Sequence, residues 1–228
     1  MTITDLWRVE LHCHTRASFD SLTKPEDIVR VCREKGIDRI AITDHNTMAG
    51  IAAVQALAPD LVISAEEIKT EEGELIGWFM SEEIPRGLPL QETIARLRAQ
   101  GAVIGVPHPL DSLRMGSALG AESLMTVIEQ VDALEVLNAR CLRQSDNDGA
   151  RQIARAYDKL MTAGSDAHAA REIGTAVMLM PPFHDAASFR RSLTNARIEG
   201  HRSGPHVKLY STGAKIIKKM RRIAAAEH

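Results

Sequence analysis

The sequence predicts a single-domain α/β protein whose mainly parallel sheet is covered by helices. Short runs of β-branched and other apolar residues alternate along the chain with amphipathic stretches of helical period. The short runs are almost continuously apolar, which is typical of parallel strands that are buried on both faces. No stretch rich in Pro, Gly and Ser divides the 228 residues into separate units. This pattern leaves a closed barrel and an open, doubly wound sheet as alternatives.

The first half of the chain alternates strands and helices and contains one hairpin. "RVELHCH" is the first predicted strand, and "KPEDIVRVCREKG" is a helix with Pro25 in its first turn and Gly36 at its end. "IDRIAITD" is the second strand, and "TMAGIAAVQALA" is the second helix. "LVISAEE" and "ELIGWFM" are two strands joined by the turn "TEEG", which predicts a hairpin. "PLQETIARLRAQG" has Leu90, Ile94 and Leu97 at helical spacing and forms the third helix.

The second half continues the alternation and ends in a basic tail. "AVIGVPHP", "ALEVLN" and "KLMTAGSDAH" are three more strands, with helices near 121–130 and 146–157 between them. "AVMLM" is the last predicted strand, and the helix "DAASFRRSLTNAR" follows it. We expect a barrel or sheet domain over residues 1–205 and a helical tail over 206–228 that packs on this domain or extends from it. From His201 onward the net charge is about +6, which leaves about −8 for the rest, and such a tail is more often a solvated helix face than a binding surface.

Composition and cysteine usage indicate a cytoplasmic protein. The chain is 44% hydrophobic and 25% charged, as expected for a folded globular protein, and its apolar runs are too short to cross a bilayer. The start "MTITDLWRVE" lacks the basic and apolar regions of a signal peptide. Three cysteines without zinc-ribbon spacing suit a reducing compartment. We therefore expect no membrane partner, and the sequence leaves the oligomeric state open.

Histidine and acidic residues occur where five predicted strands end. Because the carboxyl ends of parallel strands meet on one face of an α/β fold, we expect these side chains to lie close together. Residues i and i+2 of a strand point to the same side, so two histidines spaced in this way can hold one ion or two neighbouring ions. Imidazoles and carboxylates without a thiolate suit Zn, Mn or Fe in an open catalytic site. The strand-end residues are His12, His14, Asp44, His45, Glu66, Glu67, His108, Asp166 and His168.

Five segments that contain these residues resemble, in the same order, the polymerase and histidinol phosphatase (PHP) superfamily. They are "ELHCHTRASFDS", "GIDRIAITDHNT", "SAEEIKTEEGELIGWFM", "VPHPLDSLR" and "AGSDAHAAREIG", which together span roughly residues 8 to 175. The chain looks most similar to the small stand-alone members. The resemblance implies a distorted (β/α)7, TIM-like barrel with two or three divalent ions, Mn, Zn or Fe, at the edge formed by the strand ends. The metal ligands it implies are His12, His14, Asp20, His45, Glu67, His108, Asp166 and His168.

The resemblance also bears on two neighbouring acidic positions. Within the pair Glu66 and Glu67 it favours Glu67 as the ligand, because "EIKT" aligns best with the corresponding family segment, and Glu66 then points away from the metals. Many family members place a further histidine three residues before a glycine on the next strand. This chain has Glu74 at that position. We therefore leave Glu74 outside the predicted ligand set, and the choice between two and three ions stays open.

The resemblance implies a metal-dependent phosphoesterase that hydrolyses a phosphomonoester of a small molecule, such as a nucleotide or a nucleoside bisphosphate, with a metal-activated water. Asp44, His45 and Asp20 are the predicted catalytic residues, with Asp44 either supporting His45 from behind or handling a proton. Arg114 and Arg140 lie just beyond predicted strand ends. We expect them to bind the substrate phosphate, because a guanidinium can donate two parallel hydrogen bonds to it.

Two other functions compete with this prediction. An exonuclease or phosphodiesterase acting on nucleic-acid ends would use the basic tail "KLYSTGAKIIKKMRR" to follow the backbone. The acidic body of the chain and the lack of an evident aromatic platform disfavour nucleic acid as a partner. A non-catalytic metal-binding module on a degenerate barrel is less favoured, because the set of ligands is nearly complete.

Overall fold

Nine strands form one mixed sheet in the computed structural model, which describes residues 6–226 and the side chains up to residue 224. Residues 1–5 of the predicted barrel domain and 227–228 of the predicted tail lie outside the described residues. The strands are β1 (Trp7–Cys13), β2 (Arg39–Ile42), β3 (Val62–Lys69), β4 (Glu74–Trp78), β5 (Val103–Val106), β6 (Ala133–Asn138), β7 (Leu160–Gly164), β8 (Ala176–Met180) and β9 (Arg197–Gly200). The helices are α1 (Pro25–Lys35), α2 (Ile51–Gln55), α3 (Leu90–Ala99), α4 (Gly120–Val127), α5 (Gln144–Ala156), α6 (Ala186–Leu193) and α7 (Lys208–Ala226).

The sheet curls until its seventh strand returns to its first. The strand order is β7-β6-β5-β4-β3-β2-β1-β8-β9. The segment after β7 pairs with the end of β1, because the His14 backbone N–H donates to the Ala167 carbonyl (2.9 Å) and the Ala167 N–H donates to the His12 carbonyl (3.3 Å). The beginning of β1 pairs instead with β8. Strands β1 to β7 therefore form a nearly closed barrel, and the predicted single-domain (β/α)7 fold is confirmed.

The sheet is less parallel than the sequence predicted. Strands β3 and β4 form the expected hairpin, but β4 is antiparallel to β5 as well, and β8 is antiparallel to both β1 and β9. Residues 70–73 join β3 to β4, and such a short connection cannot make the crossover that parallel neighbours need. Strand β9 was not predicted, since its sequence "RIEG" is largely exposed and carries two charges.

The interior of the barrel is built around Trp78 on β4. Its indole N–H donates to the Leu11 carbonyl (3.1 Å), and its ring packs against Phe189 of α6, 5.9 Å between centroids. A Cβ at Gly105 on β5 would lie 2.3 Å from the Trp78 ring, so only glycine fits beside it. Outside the barrel, Cys13 packs with residues of α1 and β2 and points away from its two histidine neighbours, as predicted. No helix of residues 6–226 is long and apolar enough to cross a bilayer.

A buried carboxylate closes the seam between β1 and β7. Glu10 is fully buried, and its Oε1 accepts hydrogen bonds from the backbone N–H groups of His12 (3.1 Å) and Ser165 (3.0 Å). Its Oε2 accepts from the Ser165 hydroxyl and from the Gly174 N–H (2.9 Å). Burial raises the pKa of Glu10, and these donors act in the opposite direction. The carboxylate therefore accepts hydrogen bonds from backbone N–H groups that the incomplete pairing of β1 and β7 leaves without a partner. One of these groups belongs to His12 itself.

Replacing Glu10 by glutamine is expected to lower the free energy of unfolding by about 1–3 kcal/mol, because the amide turns a donor toward groups that themselves donate. Urea unfolding followed by circular dichroism measures the change. Glu34, an exposed residue of α1 paired with Arg30, is the matched control, and Glu34→Gln is expected to cost less than about 0.5 kcal/mol. Equal effects of the two substitutions would contradict the role assigned to Glu10.

Candidate metal centre

Glu67 lies at the centre of a cluster of four buried histidines. Its Oε1 is 3.1 Å from His108 Nε2 and 3.4 Å from His12 Nε2. Its Oε2 is 3.0 Å from His45 Nδ1 and 3.4 Å from His14 Nε2. The side chains of His12, His14, His108 and Glu67 are fully buried, and that of His45 is 9% exposed. One carboxylate therefore reaches imidazoles from three different strand ends.

Two aspartates complete the cluster. Asp166 Oδ1 is 3.3 Å from His14 Nε2, and Asp20 Oδ2 is 3.3 Å from His168 Nε2. Asp20 Oδ1 is also 3.6 Å from His45 Nε2. The structure thus brings all eight predicted ligands to the carboxyl-end edge of the barrel, called the rim below. Four overlapping groups have one ligand atom per residue within 4.8 Å of one another: His14, His45 and His168; His12, Glu67 and His108; His12, His14 and Asp166; His45, Glu67 and Glu74.

Several ligand atoms in this cluster are buried without a hydrogen-bond partner among the described residues. They are His12 Nε2, His14 Nε2, Asp20 Oδ1, Glu67 Oε2 and Asp166 Oδ1. An unpaired buried polar atom is costly, and most such atoms in folded proteins find a partner. Imidazole nitrogens and carboxylate oxygens without a thiolate are donors that Zn, Mn and Fe accept. The residues present therefore fit a cluster of divalent metal ions.

The cluster shifts the pKa values of its imidazoles and of Asp166. Burial, together with His168 and His45, lowers the pKa of His14 to about 3. Burial opposes charging of His45 too, yet the surrounding carboxylates raise its pKa to about 9. Burial disfavours the charge on Asp166, but Arg114 and the nearby imidazoles hold its pKa well below the ordinary value. The ionised Asp166 and the uncharged His14 have the protonation states that metal binding requires, whereas His45 would have to lose its proton to bind an ion.

Glu74 belongs to the cluster, although it was left outside the predicted ligand set. It is buried on β4, with its Oε1 3.9 Å from His45 Nδ1 and its Oε2 3.7 Å from His108 Nε2. Burial and the nearby Glu67 carboxylate raise the pKa of Glu74. Strand alternation could have indicated this position. Glu74 lies on the same face of β4 as Ile76 and Trp78, whose side chains pack inside the barrel.

Two residues of β6 that the sequence analysis did not single out hold the ligands in place. Glu135 Oε1 is 3.1 Å from His12 Nδ1, and its Oε2 accepts from the His108 backbone N–H (2.8 Å). Asn138 donates to Glu135 (2.9 Å) and to Asp166 Oδ2 (3.2 Å). A proton shared between His12 Nδ1 and Glu135 leaves Nε2 free to bind metal, which is the usual arrangement of a metal-binding histidine. Both are polar residues in the otherwise apolar strand "ALEVLN", and this pattern would have indicated them.

Asp44 supports the site from behind. Its Oδ1 accepts from the Thr15 N–H (2.7 Å) and the Ser18 hydroxyl (2.8 Å), and its Oδ2 accepts from the Thr15 hydroxyl (2.7 Å). Ser18 in turn lies 3.1 Å from His14 Nδ1 and accepts from the His45 N–H. Both Asp44 oxygens are thus occupied in ordering the loop after β1. Of its two predicted roles, these contacts favour positioning over proton transfer. The other predicted catalytic residues, His45 and Asp20, lie within the cluster.

The two arginines predicted to bind phosphate have different surroundings. Arg114 lies at the rim, where it donates to Asp111 (2.9 Å) and to Asp166 (2.5 Å). Arg140 is buried, pairs with Glu172 at 3.0 Å and donates to Ser211 of α7 (2.8 Å). The phosphate contact predicted for Arg140 does not fit these interactions, because its guanidinium is committed to the packing of α7. The phosphate contact predicted for Arg114 stays a prediction.

Comparison with known proteins agrees with this architecture. The family model described as PHP domain matches residues 10–76, and the one described as PHP-associated matches residues 144–198. An uncharacterized protein of Methanocaldococcus jannaschii is 38% identical over 171 residues, which cover 74% of this chain and 68% of that protein. A 5'-3' exoribonuclease of Haemophilus influenzae is 28% identical over 122 residues, which cover 47% of this chain and 44% of the enzyme.

A solved structure with the same fold is a two-domain protein from Bacteroides vulgatus that contains a predicted PHP-like metal-dependent phosphoesterase. It superposes with a TM-score of 0.70 at 20% identity, over 86% of this chain and 65% of that one. The barrel fold, the histidines and carboxylates at its rim and these matches all indicate the same family. The chain belongs to the PHP, or polymerase and histidinol phosphatase, superfamily.

Proposed function

We propose that the protein is a metal-dependent phosphoesterase that hydrolyses a phosphomonoester of a small molecule. The observation that carries the proposal is the buried cluster of imidazoles and carboxylates at the rim, with five ligand atoms left unpaired among the described residues. The Bacteroides vulgatus structure, whose protein contains a predicted metal-dependent phosphoesterase, supports it. The three free, buried cysteines support the cytoplasm as its compartment.

The chain's own residues would bind and orient the reactants. Bound divalent ions would supply charge neutralisation at the phosphoryl oxygens and a lower pKa for the attacking water. Glu135 fixes the ring of His12 and the backbone of His108, so that both present a nitrogen to the cluster. Arg114, whose side chain is 15% exposed at the rim, would donate to a phosphoryl oxygen next to Asp166.

We infer the number of ions, predicted as two or three, from how the ligands divide. Asp20, His45 and His168 lie on one side of the cluster, and His12, His14 and Asp166 lie on another. Glu74 adds an oxygen donor beside Glu67 and the remaining histidine, His108. This division supports three ions, Mn, Zn or Fe.

The test is phosphate release from a panel of monoesters by the full chain after EDTA treatment and after return of Mn²⁺, Zn²⁺ or Fe²⁺. The panel includes nucleoside monophosphates, nucleoside bisphosphates and sugar phosphates, with a phosphodiester as the contrasting substrate. Chelation is expected to lower turnover at least about 100-fold, since the ions supply most of the charge stabilisation, and metal return is expected to restore it. Mass spectrometry of the metals should find three ions per chain. Turnover that survives complete metal removal would sink the proposal.

An exonuclease is the second candidate. Its support is the similarity to the Haemophilus influenzae 5'-3' exoribonuclease, which spans 44% of that enzyme, together with the basic helix α7 beside the rim. Preference for a 5'-phosphorylated oligonucleotide over every small ester, with activity that falls steeply as salt rises, would favour it. Tight metal binding without turnover on either class would favour a non-catalytic module.

A further inference from the structure

We propose that the outward face of helix α7 is a docking surface for an anionic lipid bilayer. The helix would lie flat on the bilayer, with its apolar side chains at the acyl boundary and its cations among the headgroup phosphates. This inference concerns where the protein acts, and it does not depend on the proposed phosphoesterase function. Four apolar side chains, called the α7 stripe below, form the surface: Leu209, Ile216, Met220 and Ile223.

Helix α7 packs on the barrel through the face opposite the α7 stripe. Ser211 and Ala214 are buried. Lys218 Nζ donates to the carbonyl oxygens of Arg16 (2.6 Å) and Ser18 in the loop after β1. These three helix residues are spaced three and four positions apart, so they share one side of the helix. The helix is therefore held by this side, and the side with the stripe is left to solvent.

The α7 stripe is exposed along most of the helix. Its members are 52 to 70% exposed and recur at intervals of seven, four and three residues, which places them on one side of the helix. The line from Leu209 to Ile223 is about 21 Å long, given a rise of about 1.5 Å per residue. Single exposed apolar residues are ordinary on a protein surface, whereas a continuous apolar stripe marks a surface that another body covers.

A row of cations runs beside the α7 stripe. Lys215, Lys219 and Arg222 each precede a member of the stripe by one residue, so the row is parallel to it. All six charged residues of Lys208–Ala226 are Lys or Arg. Lys219 and Arg222 are exposed and form no ion pair within residues 6–224. Their long side chains can reach headgroup phosphates while the stripe enters the acyl boundary, which matches the negative potential of an anionic bilayer.

The end of the barrel beside α7 carries further exposed apolar side chains. The helix borders this end, because Lys215 Nζ lies 3.7 Å from Asp20 Oδ2. Met115 in the loop after β5 is 96% exposed, and Phe19 in the loop after β1 is exposed as well. Among residues 6–224, nine of the eleven exposed large apolar side chains lie on α7 or in these two loops. The exposed apolar surface is therefore concentrated at one end of the protein, as expected where a bilayer docks.

Charge favours a bilayer over a second copy of the chain as the occupant. Two α7 stripes packed against each other would bring together two helices whose charged residues are all cations, and like charges across an interface repel. The absence of a membrane partner was predicted from apolar runs too short to span a bilayer, and a helix that lies in the interface needs no such run.

Co-sedimentation of the full chain with lipid vesicles tests the assignment. The probes are vesicles of phosphatidylcholine and vesicles in which about 30% of this lipid is replaced by phosphatidylglycerol. The chain is expected to bind the anionic vesicles at least about tenfold more tightly, and the preference is expected to weaken as salt rises, because the cations are exposed to screening. Equal affinity for both vesicles, or binding to neither, would overturn the proposal.

A pair of variants measures the apolar contribution. Ile216→Ser/Met220→Ser is expected to lower the affinity for anionic vesicles at least about tenfold, because two apolar side chains no longer leave water. The matched control is Leu57→Ser/Tyr157→Ser, which changes two exposed side chains outside α7 and the two loops. The control is expected to keep the affinity within about twofold.

A second pair measures the contribution of charge. Lys219→Glu/Arg222→Glu is expected to lower the preference for anionic over neutral vesicles at least about tenfold, because two attractions become repulsions. The matched control is Arg155→Glu/Arg191→Glu, with the same change of charge at exposed residues of α5 and α6. It is expected to leave the preference within about twofold.

Analytical ultracentrifugation of the full chain identifies the competing occupant. A dimer that Ile216→Ser/Met220→Ser converts to a monomer, without vesicle binding by either, would assign the α7 stripe to a second copy and overturn the proposal. Vesicle binding that survives this variant but not Lys219→Glu/Arg222→Glu would also overturn it, because the cations alone would then account for the attraction. A monomer whose vesicle binding is lost in both variants and kept in both controls is the expected result.

Discussion

Replacing Glu67 by glutamine is expected to reduce turnover of phosphate esters by at least about 1000-fold and to lower the metal content of the purified chain. The two oxygens of Glu67 lie 3.0 to 3.4 Å from nitrogens of His108, His12, His45 and His14. The amide of glutamine has no charge, and its NH2 group would face ring nitrogens that must themselves bind metal. The substitution therefore lowers metal affinity, and turnover falls because fewer chains hold the metal ions.

The neighbouring residue gives the matched control for this experiment. Glu66 points away from the cluster, as the sequence analysis predicted, and its Oε2 accepts from the Ile84 N–H (3.0 Å). Burial raises the pKa of Glu66 to about 7. Glu66→Gln is expected to keep the metal content and to change kcat/KM by less than about fivefold, because this side chain faces packing residues. Mass spectrometry of bound metals, with kinetics at saturating Mn²⁺, distinguishes the two variants, and equal metal loss in both would contradict the geometry.

The position of the site was predictable because each parallel β/α unit ends a strand at the same edge. His12 and His14 illustrate this, since strand alternation puts both imidazoles inside the barrel and Cys13 outside. Asp166 follows β7 in the same way and meets His14 at 3.3 Å. These predictions needed only local periodicity and the direction of the chain.

Glu74 was harder to predict because β4 runs antiparallel to both of its neighbours. Its first residue, rather than its last, therefore lies at the rim with the carboxyl ends of the other strands. A rule that searches the ends of parallel strands passes over such a residue. Glu135 differs from Glu74: its polarity within an apolar strand could have indicated the position, but its hydrogen bonds to His12 and His108 depend on contacts between residues distant in sequence.

The role of Arg140 also depends on contacts that the sequence alone does not reveal. Its place after β6 is correct for a rim residue, but the sequence does not show that the chain returns more than sixty residues later to cover it. The contacts with Val207 and Ser211 link the barrel to α7, and the pair with Glu172 lies beside the backbone of His168. Arg140 thus links the surroundings of His168 to helix α7.

Replacing Arg140 by leucine is expected to lower the free energy of unfolding by about 3–5 kcal/mol, because Glu172 would be left as a buried charge without its partner. The side chains of both residues are at most 3% exposed. Hydrogen exchange over residues 205–226 should also accelerate, since Val207, just before α7, and Ser211 within it both lose their contacts with Arg140. The control Arg30→Leu removes an exposed guanidinium that pairs with Glu34 and Asp27, and it is expected to cost less than about 1 kcal/mol.

A double substitution separates the two roles of Arg140. In Arg140→Leu/Glu172→Leu the unpaired charge is gone, so stability is expected to recover by about 2 kcal/mol relative to the single variant. The exchange of residues 205–226 should remain fast, because leucine cannot donate to Val207 or Ser211. Recovery of stability together with slow exchange would mean that other contacts, such as those of Lys218 with the loop after β1, suffice to hold α7. Equal losses for Arg140→Leu and Arg30→Leu would mean that water reaches the Arg140–Glu172 pair and screens it.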